Sequence, residues 1–177
     1  MSKPISGLFK GTKVSLQKHF KTSPKNIPTQ NLRHVKEFAE KTAEELSSIS
    51  NTQRSKFNTA TVVYDEKNDK YYYGINKGIF KNGTEKNKIL FGDNTHEGIL
   101  PKESLNNYRI GNCSEVDAIN NALNDGAKLE DLHLTTIHAS QNRMGEPKSS
   151  CQNCTYSFKG RVKRNYTGWY TEENNNG

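Results

Sequence analysis

The sequence predicts an α/β protein, a three-layer sandwich whose mixed sheet of four or five strands carries helices on both faces. Segments of strand character alternate with segments of helical period, in the order helix, strand, strand, helix, strand, helix, strand. Two strand-helix-strand crossovers in the second half favour a sheet that includes parallel strands. The length of 177 residues suits one domain.

Composition divides the chain into three parts. Residues 1–28 hold six lysines and no acid, show no sustained hydrophobic period, and are interpreted as a basic arm or the remnant of a linker. Residues 29–170 contain the remaining predicted elements and form the domain. Residues 171–177 are a polar tail.

The first elements are a helix and a hairpin. From Asn31 to Ile49, apolar residues recur at spacings of three and four, which predicts an amphipathic helix. Phe57 to Asp65 and Lys70 to Asn76 are rich in β-branched and aromatic residues and flank a Lys-Asn-Asp turn, so they predict a β-hairpin. Residues 77–110 are interpreted as a long loop with one short strand near Ile89 to Phe91.

The second half contains the two crossovers. A helix is predicted to begin at Cys113 and to run to Asp125, where Gly126 stops it. A buried strand should follow from Leu132 to Ala139, and a second short helix should begin near Cys151. The last strand is predicted around Val162, Tyr166, Trp169 and Tyr170.

The formal charge of +7 is unevenly placed. Besides residues 1–28, the segment 148–171 is basic, with five cations and no acid. Such patches attract phosphate backbones, although a solvated basic surface explains the charge equally well. This segment overlaps a group of aromatic residues that either stack on bases or, as is more usual, build the core: Tyr156, Phe158, Tyr166, Trp169 and Tyr170. No window reaches the ~20 apolar residues of a membrane span, and the first residues lack a signal-peptide stretch, so we expect no membrane partner.

The three cysteines indicate a metal site. Cys113 opens one predicted helix, and Cys151 and Cys154 open another as Cys-x-x-Cys. Helix N-termini favour thiolates, and three thiolates can bind one tetrahedral ion while leaving its fourth position open. Glu115, two residues after a ligand, could then move protons to and from a water molecule.

A closed structural zinc site with a histidine as the fourth ligand is the alternative. His133 and His138 are five residues apart on one strand and therefore point to opposite faces, so both cannot join the site. A carboxylate beside a ligand has no necessary role in a structural site, which favours catalysis.

The segments NCSEVDAINNAL and GEPKSSCQNC resemble the signature of the cytidine deaminase superfamily. Together with the strand between them and the hairpin ending YYYGINKG, they are similar to the YwqJ-like branch of bacterial polymorphic-toxin deaminases over about residues 57–160. The resemblance implies the cytidine-deaminase-like sandwich, Zn²⁺ as cofactor, Glu115 as the proton shuttle, and substrate contacts from Asn76 and from the backbone N–H of Ser114. The implied metal ligands are Cys113, Cys151 and Cys154.

Two local features accompany this resemblance. Ser150 stands where the family has a proline just before the first cysteine of the pair. Three thiolates and Zn²⁺ sum to a negative charge, so a cation such as Lys148 or Arg109 is expected nearby.

The function expected from these residues is hydrolytic deamination of cytosine in nucleic acid, DNA in preference to RNA and including single-stranded DNA. The resemblance further implies the toxin domain of a secreted effector, which acts in the target-cell cytoplasm and is neutralised by a cognate immunity protein. Two alternatives stay open: a deaminase of free nucleosides or nucleotides, and a non-enzymatic structural-zinc module that binds nucleic acid.

Overall fold

The computed structural model of the chain describes residues 58–143 and 145–175. The strands are β1 (Thr59–Asp65), β2 (Lys70–Ile75), β3 (Leu132–His138) and β4 (Arg164–Asn165). The α-helices are α1 (Gly78–Asn82), α2 (Lys88–Phe91), α3 (Ser114–Asn124) and α4 (Gln152–Phe158). Short 3₁₀ helices cover Leu129–Asp131, Gln141–Arg143 and Glu172–Asn175. The predicted basic arm and the helix predicted from Asn31 to Ile49 lie outside the described residues.

The four strands form one mixed sheet in the order β2-β1-β3-β4. The hairpin β1-β2 is antiparallel, β3 pairs antiparallel with the other side of β1, and β4 runs parallel to β3. The chain therefore passes from β2 through α3 to β3, and from β3 through α4 to β4. The predicted α/β class with its mixed sheet is confirmed, as are the hairpin and both crossovers.

One face of the sheet packs against α3 and α4. Val63 lies in register with Tyr72 on one side and with Leu134 on the other, and all three belong to the main apolar cluster. The helices contribute residues such as Ile119 and Phe158 to the same cluster, and both side chains are fully buried. This face holds the core that supports the functional site.

The opposite face of the sheet is buried as well. Val62, in register with Tyr73 and Thr135, lies on this face, and so do Tyr64 and His133. All five residues are buried. A sheet buried on both faces is consistent with the predicted three-layer sandwich.

The strand predicted near Ile89 to Phe91 is wrong, because this segment is helix α2. The side chain of Asn87 accepts a hydrogen bond from the Ile89 N–H and caps the helix, and Gly92, with φ of 75°, ends it. Only Leu90 of the three apolar residues is fully buried, and Ile89 is 49% exposed. The preceding part of the predicted loop contains a second short helix, α1.

The last strand is shorter than predicted. β4 consists of Arg164 and Asn165 alone, paired with β3. The side chain of Asn165 accepts hydrogen bonds from the N–H and the hydroxyl of Thr167, which turns the backbone, and Gly168 follows with φ of 86°. The chain leaves the sheet there, so Trp169 and Tyr170 are not strand residues.

The topology brings the start of α3 and the start of α4 to one edge of the sheet. β2 and β3 are parallel because each is antiparallel to β1, so their carboxyl ends lie at the same edge. α3 lies on the path from β2, and α4 on the path from β3. Sites in α/β proteins form at this edge, next to the helix N-termini.

None of the helices in the described ranges has the length and apolar character that crossing a membrane requires.

Candidate metal centre

Cys113, Cys151 and Cys154 meet at the start of the two crossover helices. Cys113 is the N-cap of α3, Cys151 is the N-cap of α4, and Cys154 lies in the first turn of α4. The Sγ atoms all lie within 4.8 Å of one another, and the Sγ atoms of Cys113 and Cys151 are 3.2 Å apart. Three sulfurs at ~2.3 Å from one tetrahedral ion would lie about 3.8 Å apart, so this group could hold a metal ion.

Three side chains make up the ligand set within the described part of the chain. No histidine, aspartate or glutamate of residues 58–143 and 145–175 joins the three cysteines as a further ligand. All three cysteines are free thiols. Structural zinc sites use four protein ligands, whereas three protein ligands leave a position for water or substrate. The donor set therefore fits Zn²⁺ in an open site.

The three thiols share hydrogen bonds, which perturbs their ionisation. Hydrogen bonds from Cys113 and Cys154 hold the pKa of Cys151 well below its usual range. Hydrogen bonding to Cys151 raises the pKa of Cys113, and hydrogen bonds to both neighbours, together with burial, raise that of Cys154. One thiolate forms readily and the next two ionise against existing negative charge. A divalent cation would remove this conflict by binding all three as thiolates.

Glu115 places a buried carboxyl group beside this cluster. It lies in the first turn of α3, and its side chain is 4% exposed. Burial raises the pKa of Glu115 and the negative charge of Cys151 raises it further, while its own backbone N–H, the charge of Lys148 and a hydrogen bond from Ser150 lower it. A carboxyl group with a raised pKa holds its proton more tightly than an ordinary one and can therefore serve as a proton donor as well as an acceptor.

Of the two cations expected near the site, Lys148 acts on Glu115 electrostatically. Its positive charge lowers the pKa of that carboxyl. Arg109 instead places its guanidinium 3.9 Å from the centre of the Phe80 ring. Lys148 is therefore the cation that offsets negative charge at Glu115.

Ser150 holds Glu115 through a network that the sequence did not reveal. Its hydroxyl accepts a hydrogen bond from the Asn165 side chain at 2.8 Å and donates one to Glu115. Its backbone N–H donates to the carbonyl of Gly168 at 3.0 Å. Proline could make neither the N–H nor the hydroxyl bond, so these contacts require a residue other than proline at position 150.

The side chains of Asn76 and Ser114, the two predicted substrate-binding residues, form hydrogen bonds within the protein. The Oδ1 atom of Asn76 accepts hydrogen bonds from the backbone N–H groups of Asn58 and Thr59, at 2.8 and 3.1 Å. The neighbouring Lys77 N–H donates to the carbonyl of Asn112, next to the first cysteine, at 2.7 Å. Asn76 thus lies on a segment tied to the start of α3, and its substrate contact stays a prediction.

The hydroxyl of Ser114 faces the sheet. It lies 2.8 Å from Thr61 Oγ1, which in turn lies 2.8 Å from Thr136 Oγ1, and all three residues are buried. This hydroxyl row fixes the first turn of α3 on β1 and β3. The predicted contact of Ser114 with substrate involves its backbone N–H, and it stays a prediction.

Comparisons with known proteins identify no family. No known protein-family profile, curated protein or solved structure matches the chain significantly. The metal centre is therefore interpreted from its own residues.

Asn153, between the two cysteines of the Cys-x-x-Cys pair, is a second residue that the sequence analysis missed. It is buried, and its Oδ1 atom accepts a hydrogen bond from the Leu105 N–H at 2.8 Å. Its Nδ2 atom donates to the hydroxyl of Ser104 at 3.0 Å and to Oδ1 of Asn106 at 3.3 Å. Asn153 therefore fixes the loop of residues 104–108 to the helix that carries two cysteines. No short-range pattern in the sequence links these segments.

Proposed function

We propose that this chain is a zinc-dependent hydrolytic deaminase that acts on cytosine in nucleic acid, on DNA in preference to RNA. The observation that carries the proposal is the buried carboxyl group of Glu115 beside three cysteine ligands, with no fourth protein ligand among the described residues. A purely structural zinc site has no use for a buried, desolvated carboxyl group at this position.

The chemistry needs a metal and a proton carrier. Zn²⁺ bound by Cys113, Cys151 and Cys154 would supply a Lewis acid that lowers the pKa of water. Deamination replaces the exocyclic amine at C4 of cytosine by the oxygen of water and releases ammonia. Glu115 takes one proton from water and gives it to the ring nitrogen. It then takes the second proton from the hydroxyl group added at C4 and gives it to the amine, which leaves as ammonia. Lys148 and Ser150 favour the ionised form of Glu115 that starts this cycle.

Charge supports a nucleic-acid substrate. The segment from Lys148 to Thr171 contains five cations and no acid, and it includes both α4 and β4. A polyanion would therefore meet positive charge beside the candidate site. The toxin role, delivery into the cytoplasm of a target cell and the cognate immunity protein are proposed on the resemblance to polymorphic-toxin deaminases alone.

The Glu115→Gln variant tests this proposal. Loss of the proton carrier should lower turnover by about 10²- to 10⁴-fold while the zinc content stays unchanged. Single-stranded DNA, duplex DNA, RNA and free cytidine are incubated separately with zinc-loaded protein, and product sequencing and ammonia release report the reaction. Glu130→Gln, which changes an exposed glutamate, is the matched control and should retain full activity.

The possible results separate the candidate functions. Conversion of cytosine in oligonucleotides supports the proposal, whereas turnover of free cytidine alone supports a nucleoside deaminase. Zinc and oligonucleotide binding without turnover of any substrate would indicate a structural-zinc module. Full activity of Glu115→Gln would contradict the role of Glu115.

A further inference from the structure

Three exposed apolar side chains lie on the two segments that Asn153 joins. Leu105, Tyr108 and Tyr156 are 48%, 62% and 59% exposed, and Ile89 is the only other exposed large hydrophobic residue within the described ranges. Leu105 and Tyr108 belong to the 104–108 loop, and Tyr156 belongs to α4. We call these three side chains, two of which are tyrosines, the aromatic surface.

The hydrogen bonds of Asn153 fix the position of this surface relative to the metal centre. Tyr156 follows Asn153 by three residues on α4, so the two side chains share one side of the helix. The loop bound by Asn153 is held internally as well, since the Tyr108 N–H donates to Oδ1 of Asn106 and its carbonyl accepts from the hydroxyl of Ser104. The aromatic surface is therefore built onto the helix that provides Cys151 and Cys154.

Two cations lie beside the aromatic surface, at the end of α4. Arg161 donates to the carbonyl of Tyr156 at 3.3 Å and to that of Ser157 at 3.0 Å, which places its guanidinium at the end of α4. Lys159 is also exposed there, whereas Arg109, which follows Tyr108, places its guanidinium over the Phe80 ring. The loop of residues 92–113 contains three acidic residues: Asp93 forms an ion pair with Lys88, Glu97 forms one with Lys102, and Glu103 is exposed. The surroundings therefore suit an anionic partner.

We propose that the aromatic surface binds single-stranded nucleic acid, with bases next to the target nucleotide stacking on Tyr108 and Tyr156. Exposed aromatic rings beside phosphate-binding cations are the combination that single-stranded binding sites use, since each base offers a face for stacking. Duplex nucleic acid keeps its bases paired and stacked, so it cannot use these rings in the same way. This inference rests on the proposed function, which supplies the target cytosine, and it adds that the nucleic acid is bound as a single strand.

The test measures binding rather than turnover, in zinc-loaded full-length protein that carries Glu115→Gln so that the probe is not consumed. The probe is a short fluorescently labelled single-stranded oligodeoxynucleotide with one cytosine, and fluorescence anisotropy gives the Kd. Tyr108→Ala and Tyr156→Ala should each raise the Kd about five- to tenfold, the lower end of the stacking contribution of one ring. The slope of binding against salt should not change, because no charge is removed.

Matched variants separate ring stacking from other causes. Tyr108→Phe and Tyr156→Phe keep the ring and should bind within about twofold of the parent, since stacking does not need the hydroxyl. Ile89→Ala removes a comparably exposed apolar side chain on α2 and should not change the Kd. Thermal unfolding of each variant checks that the fold is retained.

Two outcomes would overturn the inference directly: the Glu115→Gln protein does not bind the oligonucleotide, or the alanine variants bind it as tightly as that protein does. Two others would overturn stacking: the phenylalanine variants lose as much affinity as the alanine variants, or duplex DNA binds with the same dependence on the tyrosines. The last two would indicate hydroxyl contacts or groove contacts in place of stacking. Turnover of free cytidine without oligonucleotide binding would overturn this inference and would still indicate a deaminase. Tyrosine-dependent binding, together with no turnover of any substrate by the wild type, would support this inference and contradict the proposed function.

Discussion

Ser150 is one of the groups that lower the pKa of Glu115, the candidate catalytic group. Its hydroxyl donates to Glu115 and accepts from Asn165, and its N–H is bonded to Gly168. The hydrogen bond to Glu115 stabilises the carboxylate and so opposes the rise in pKa that burial causes. Ser150 is therefore a positioning residue whose effect should appear in the pH dependence.

We expect Ser150→Ala to move the acid limb of the pH-rate profile to higher pH. Without the donated hydrogen bond, the pKa of Glu115 rises further, so a larger share of the enzyme is protonated and unable to accept a proton from water. The measurement is kcat/KM against pH for the wild type and the variant, with Ser149→Ala as the neighbouring control. A uniform loss of activity at all pH values would contradict the role in ionisation.

At the residue scale, the sequence predicted that the three cysteines meet, but it did not indicate the contacts of Ser150 and Asn153. The cysteines and Glu115 have short spacings with a chemical meaning, because each lies at the start of a helix or in its first turn. The partners of Ser150 and Asn153 are 15 or more residues away in the chain. Nothing in a single sequence indicates which serine or asparagine will meet them.

At the element scale, α3 is joined closely to β2. A Cβ atom on Gly74 would lie 2.2 Å from the backbone nitrogen of Ala118, so only glycine allows this approach. Beside it, Asp117 accepts a hydrogen bond from the Ile75 N–H at 3.0 Å. Burial raises the pKa of Asp117 from 3.8 to about 6, and its Oδ1 atom has no hydrogen-bond partner within the described residues.

Asp117→Asn should therefore remove a pH-dependent cost of folding. In the folded state Asp117 holds its proton more tightly, so the free energy of unfolding of the wild type falls as pH rises from 3.8 through about 6. The asparagine keeps the carbonyl that accepts from Ile75 and does not titrate. Relative to the wild type, the variant should gain about 1–3 kcal/mol of stability between about pH 4 and about pH 7.5.

Urea unfolding of the reduced, metal-free proteins at both pH values measures this gain. Asp131→Asn, which makes the same exchange at a partly exposed aspartate just before β3, is the control. If the free energies of unfolding of Asp117→Asn and the wild type differ by the same amount at the two pH values, the prediction of a raised pKa for Asp117 is contradicted.

Long periodic elements were predicted better than short ones. The hairpin, α3, β3 and α4 have clear periods or turn residues, and the structure contains all of them. Residues 89–91 were predicted as strand because three consecutive apolar residues fit either a helix or a strand. The N-cap formed by Asn87 favours a helix, and the turn formed by Asn165 shortens β4. Both features are caused by side-chain hydrogen bonds, which the hydrophobic period does not reveal.

At the scale of the whole molecule, the cluster of three cysteines is a consequence of topology. β2 and β3 are parallel and end at one edge, so the helices that follow them begin close together and bring Cys113 to Cys151 and Cys154. The sequence predicted this meeting from two crossovers and the position of each cysteine at a helix start. The strand order β2-β1-β3-β4 was not predicted, because pairing between distant strands leaves no local pattern.

The proposed chemistry depends on a zinc ion bound by three cysteines with one position open beside Glu115. Zinc K-edge X-ray absorption of the purified full-length protein reports the number and type of the ligands directly. We predict stoichiometric zinc with three sulfur ligands at ~2.3 Å and one oxygen ligand. Absence of zinc, or a fourth ligand with the scattering pattern of imidazole or of a fourth sulfur, would rule out an open three-cysteine zinc site.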